Sequence, residues 1–99
     1  MVIIAIMSYP LQSANEMAKR FVAQPPLPAY IAMKGPYGDV ELREGVKVIS
    51  VYECDESKYF DAQDALAARY AKYNEVPGCS YSLHRWAEAK DMLKSIGMA

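Results

Sequence analysis

The sequence predicts one α+β domain over residues 1–99, in which a four-stranded sheet carries two helices on one face. Three observations predict it. Short β-branched runs alternate with segments of helical spacing. Pro/Gly clusters separate them. At 99 residues with 53% hydrophobic content, the chain has the length and apolar share for one core.

VIIAIMSY (2–9), closed by Pro10, reads as the first strand. Ser13-Ala14-Asn15-Glu16 then fits a capping box, hydroxyl to the N3 amide and carboxylate back to the cap amide. Behind it, Ala14, Met17, Ala18, Phe21 and Val22 form an apolar stripe at helical spacing. Pro25, Pro26 and Pro28 end that helix, because a residue before proline avoids the α region. PPLP is read as a rigid connector in preference to a recognition motif. YIAMKGPYG (30–38) is a second strand running into a turn, and GVKVISVYEC (45–54) a third. Residues 57–74, with Leu66, Tyr70 and Tyr73 recurring at helical spacing, form the second helix, which Pro77-Gly78 stops. Asp61 and Asp64 suit its N-terminal dipole. CSYSLHRW (79–86) is the fourth strand. A short helix over 87–96 closes the chain, with Gly97 as its C-cap.

The order β-α-β-β-α-β-α, with two right-handed crossovers, gives a ferredoxin-like sheet in the order 4-1-3-2. Side chains alternate across a strand. In the first strand both sets, Val2, Ile4, Ile6 and Ser8 against Ile3, Ala5, Met7 and Tyr9, are mostly apolar. Helices cover one face, so the other would be a large hydrophobic patch, which monomers avoid. A second copy of the chain is the expected cover, making the protein a homodimer.

This pattern resembles the dimeric α/β-barrel superfamily, whose ferredoxin-like protomers pack sheet to sheet around a shared cavity. The resemblance spans nearly the whole chain and rests on topology and apolar pattern. The closing segment, VPGCSYSLHRWAEAKDMLKSIGMA, is similar to that of small bacterial proteins of unknown function. Haem-degrading members use an Asn–His–Trp set, which His84 and Trp86 on one strand do not reproduce, and no family activity is carried over.

A net charge of −1 offers no general attraction to nucleic acid or anionic membrane. No run approaches the ~20 apolar residues of a membrane span, and MVIIAIM is short for a signal peptide. An RNA-recognition module needs stacking aromatics where the third strand offers Tyr52 alone. SYPLQSA, after the first strand, has neither the CxxC of a metallochaperone nor the arginine of an acylphosphatase-like loop. Cys54 and Cys79 form no CxxC or Cys/His cluster, so neither a disulfide framework nor a metal site is expected, and a reduced, cytoplasmic protein is. The strand order is read as placing both at one end of the sheet, two strand spacings or roughly 9.6 Å apart. That exceeds the ~7 Å reach of a bridge.

The functional expectation starts from the single histidine. Tyr81 and Leu83 are assigned to the helices, which leaves Ser80, Ser82, His84 and Trp86 on the dimer side. Ile49 and Val51 are likewise given to the helices, which places Val48, Ser50, Tyr52 and Cys54 beside His84. The expected site is an apolar cleft on the dimer side of the sheet, with Ser8, Ser50, Tyr52, Ser82, His84 and Trp86 as ligand-binding residues. His84 and Tyr52 are the catalytic candidates. Histidine titrates near neutral pH and serves as acid or base, and a tyrosine hydroxyl donates to a developing anion. The competing assignments are a hydrogen-bonded core histidine and a packing tryptophan. Lys34 and Tyr37 of KGPYG either close over a cavity mouth or form a solvated turn. Glu53 and Asp55 have no carboxylate partner for an acid/base dyad. The resulting function is a small-molecule binding or enzymatic domain that needs no tightly bound cofactor. The alternative is a non-catalytic interaction module or an ACT-like regulatory module.

Overall fold

The computed structural model describes residues 1–98. It is α+β, with a four-stranded antiparallel sheet and three α-helices. The strands are β1 (Val2–Tyr9), β2 (Ala32–Glu41), β3 (Gly45–Glu53) and β4 (Ser80–Trp86). The helices are α1 (Ala14–Val22), α2 (Tyr59–Ala71) and α3 (Ala89–Ser95). The sheet runs β2-β3-β1-β4, an arrangement compatible with a ferredoxin-like fold.

Register decides which residues share a face, because directly opposed residues of an antiparallel pair point the same way. Ile3 lies opposite Tyr52 and Ala5 opposite Ser50. Ile3, Ala5, Met7, Ser50 and Tyr52 are all buried, together with Met17 of α1 and Ala62, Leu66 and Tyr70 of α2. The core therefore lies between this face and the two longer helices. The opposite face carries Val2, Ile4 and Ile6 of β1, with Ile4 opposite His84 and Ile6 opposite Ile49.

Gly45 opens β3 with φ +86°, and a Cβ there would stand 2.4 Å from the Tyr9 carbonyl oxygen. Only glycine lets the β2–β3 turn press so closely on the end of β1. The β2–β3 register shifts between Lys34 and Tyr37, so the KGPYG segment is a bulge inside a strand that continues to Glu41.

The capping box does not form. Ser13 ends a 3-10 turn (Leu11–Ser13) with helical φ and ψ, and its hydroxyl donates to the Pro77 carbonyl at 2.7 Å. A capping side chain needs extended backbone, which this turn denies Ser13. Glu16 instead accepts from Arg20 Nε at 2.9 Å.

The cysteine geometry also needs correcting. The Cys54 amide donates to the Met1 carbonyl, while Ser80, next to Cys79, pairs with Ser8. β3 and β4 both run antiparallel to β1, so the end of one and the start of the other lie at opposite ends of the sheet. Most of β1, about 25 Å of strand, separates the two thiols, and both are free.

Candidate functional site

The structure divides the six expected site residues between the two faces of the sheet. Ser8, Ser82, His84 and Trp86 lie on the open face, His84 and Trp86 exposed. Ser8 and Ser80 share a hydroxyl–hydroxyl hydrogen bond of 2.9 Å. Ser50 and Tyr52 lie on the helix-covered face, and both are 2% exposed. A cleft combining them with His84 therefore does not form. The cause is the phase of β3. Ile49 and Val51 are its most apolar side chains, yet they face outward, opposite Ile6 and Ile4. Tyr52 takes the inward position because tyrosine buries a large ring once its hydroxyl finds a partner.

That partner is Tyr70. The two hydroxyls lie 2.9 Å apart, with the rings edge to face at 6.4 Å between centroids. Tyr70 also meets Tyr73 edge to face at 5.8 Å and lies tilted against Tyr81 at 5.5 Å. Burial pushes the Tyr70 phenol well above its usual value; the hydrogen bond to Tyr52 adds to this, and the Ser50 hydroxyl opposes it. Burial raises the Tyr73 phenol as well, against the neighbouring Gln24 amide and Arg69 guanidinium. Both hydroxyls are held in their protonated, proton-donating form.

Tyr52, Tyr70 and Tyr73 line a cavity of about 220 Å³ between the sheet and the helices. Its floor is Met7 and Tyr9 of β1, Val48, Ser50 and Tyr52 of β3, and Met33 and Pro36 of β2. Ala14, Met17, Ala18 and Phe21 of α1 form the opposite wall. The space has a sequence origin. Ala14 and Ala18 lie one helical turn apart, so small side chains stack where α1 faces the floor. The bulge of β2 contributes Pro36 to the floor, while Lys34 and Tyr37 of the same segment pair with Val51 and Ile49, the open-face residues of β3.

The end of α1 is tied to the end of α2 by side chains that cap free carbonyls. Gln24 Nε2 donates to the Arg69 carbonyl at 2.8 Å, and Arg20 donates to the Lys72 carbonyl at 2.7 Å. Arg69, on the cavity wall, donates in return to the Pro25 carbonyl at 2.6 Å. The Gln24 Oε1 atom is buried without a hydrogen-bond partner.

Sequence reasoning missed Met17, Phe21, Arg69, Tyr70 and Tyr73 as site residues, although the helical stripes containing four of them were visible. The missing signal was the phase of β3. Three core-directed tyrosines, Tyr52, Tyr70 and Tyr73, point to one another only once Tyr52 faces α2. Among the described residues, no three His, Cys, Asp or Glu side chains gather as a metal site, and no helix is long and apolar enough to cross a membrane. No family model, curated protein or solved structure matches the chain.

Proposed function

We propose that this protein is a small-molecule binding domain whose ligand occupies the cavity between the sheet and α1/α2. The carrying observation is an apolar cavity of about 220 Å³ with a buried hydroxyl pair, Tyr52 and Tyr70, in its wall. Small-molecule sites combine an apolar lining with a few convergent polar groups in this way. The proposal is for binding without turnover. The raised Tyr70 phenol suits hydrogen-bond donation to a bound oxygen and disfavours the phenolate a base would need.

The proposed assembly is a homodimer of ferredoxin-like protomers, sheet against sheet, as in the dimeric α/β barrels. Its support is the open face. Ile6 and Ile49 are each 39% exposed there and Trp86 52%, around the half-buried Val2, Ile4 and Val51. Charges of both signs flank this patch. Lys34 pairs with Glu53 at 3.0 Å, and Asp39 lies opposite Lys47. A face with an apolar centre and balanced charges is self-complementary, as a two-fold interface requires. The two half-buried free thiols suit a reducing, cytoplasmic setting.

The test is a thermal-shift screen of small metabolites against the original protein and Ala18→Trp. Ala18 is an exposed residue on the cavity wall, so an indole there fills the space without disturbing the core. Ligands that raise the melting temperature of the original protein should lose their effect on the variant. Equal stabilisation of both proteins refutes the cavity as the site.

A further inference from the structure

We infer that the cavity selects a compact, uncharged, single-ring molecule that presents one acceptor oxygen to the Tyr52–Tyr70 hydroxyl pair. The inference rests on the small-molecule reading of the cavity and specifies its ligand class.

Size comes first. An apolar cavity of about 150 Å³ accepts benzene. The 220 Å³ here leaves room for one ring and a short substituent. The lining matches a ring in kind, since Met7, Met17 and Met33 surround the space. Thioether sulfurs make favourable contacts with aromatic edges, and methionine adapts its shape to a flat guest.

Hydrogen-bond capacity fixes the polar group. Each phenol has one proton. Within the 2.9 Å pair, one hydroxyl gives its proton to the other, whose own proton remains free to donate. Ser50, buried in the same wall, turns its hydroxyl to the Tyr70 phenol, so the free proton of the tyrosine pair is the donor that a ligand meets. Unfavourable ionisation of Tyr70 keeps this wall a donor. A ligand carbonyl or ether oxygen meets that demand; a purely hydrocarbon ligand leaves it unmet.

Charge excludes the remaining classes. Arg69 is the one ionised side chain among the described lining residues, and it is turned to the Pro25 carbonyl at 2.6 Å. An ammonium group would be desolvated with no carboxylate to meet it, and a carboxylate seated on the Tyr52–Tyr70 pair would be buried against neutral hydroxyls, with Arg69 held at the Pro25 carbonyl.

The probes are acetophenone, ethylbenzene of nearly the same shape without the oxygen, and benzoate. They are titrated by calorimetry into the full chain. Acetophenone should bind about fivefold tighter than ethylbenzene, the worth of one net hydrogen bond, and benzoate more weakly than either. In the Tyr52→Phe/Tyr70→Phe double variant this preference should vanish while ethylbenzene still binds, which itself shows that the cavity is intact. Infrared spectra of the original protein provide a check independent of the variant's folding. The bound acetophenone carbonyl should absorb at lower frequency than in hexane.

Equal binding of acetophenone and ethylbenzene, tightest binding of benzoate, or an unshifted carbonyl band overturns the inference while leaving the cavity a binding site. If none of the three binds, the inference fails. The binding reading then survives only if other ligands stabilise the original protein and not Ala18→Trp.

Discussion

Tyr52 on β3 and Tyr70 on α2 meet hydroxyl to hydroxyl at 2.9 Å, joining the sheet to the longest helix through a buried polar contact. The contact lies in the cavity wall, so it serves the core and the proposed site together. Removing either hydroxyl leaves the other without this partner. Tyr70→Phe or Tyr52→Phe alone should cost about 1 kcal/mol, or about 4–8 °C in melting temperature for a domain of this size. The double variant should cost little more than either single change. Denaturant unfolding of all four proteins checks the cycle; additive losses would show that the pair is not coupled.

The same burial predicts an alkaline limit. The Tyr70 phenol in the folded protein ionises above its ordinary value of 10.0, with Tyr73 and Tyr9 raised in the same direction. The folded state therefore holds these protons more tightly than the unfolded chain. Their contribution is fully present below pH 10 and is lost as pH rises through the folded-state values. Urea midpoints should fall progressively above pH 10, and less steeply in Tyr70→Phe. A midpoint independent of pH in that range contradicts the desolvation.

Covering of the open face predicts the effect of Ile4→Glu. Ile4 sits mid-strand between Val51 and His84. A carboxylate there would be buried among apolar side chains in a sheet-to-sheet dimer, with His84 as the ionisable neighbour opposite it. Light scattering should report a dimer for the original protein and a monomer or insoluble chain for the variant. A soluble monomer of the original protein contradicts the dimer.

His84 belongs to that face and not to the cavity. His84→Gln should leave acetophenone affinity unchanged, because the side chain stands on the other side of the sheet from Tyr52. A marked loss of affinity in calorimetry would return the ligand to the open face.

The elements were legible in the sequence because their signals are local. Pro10, Pro25, Pro26 and Pro77-Gly78 punctuate the chain, and periodicity between them separates strand from helix. The phase of β3 was not legible. GVKVISVYE has apolar residues on both sides of its alternation, and a hydropathy choice gives the helices Ile49 and Val51. The Tyr70 hydroxyl on α2 reverses that choice by making Tyr52 cheap to bury, and that partner is distant in sequence. Two of the six expected site residues, Ser50 and Tyr52, moved to the other face in consequence. The cavity was illegible for a related reason: it is the space left by Ala14 and Ala18, and small residues give no positive signal.

The methionines supply the most direct test of where a ligand sits. Met7, Met17 and Met33 line the cavity, whereas Met1, Met92 and Met98 lie outside it. With methyl-¹³C methionine, the six resonances report on the whole molecule during a titration with acetophenone. The account predicts that the Met7, Met17 and Met33 methyls shift together, saturating at one affinity, while the other three stay in place. Shifts confined to Met1 and Met92, with the three cavity methyls unmoved, would contradict it.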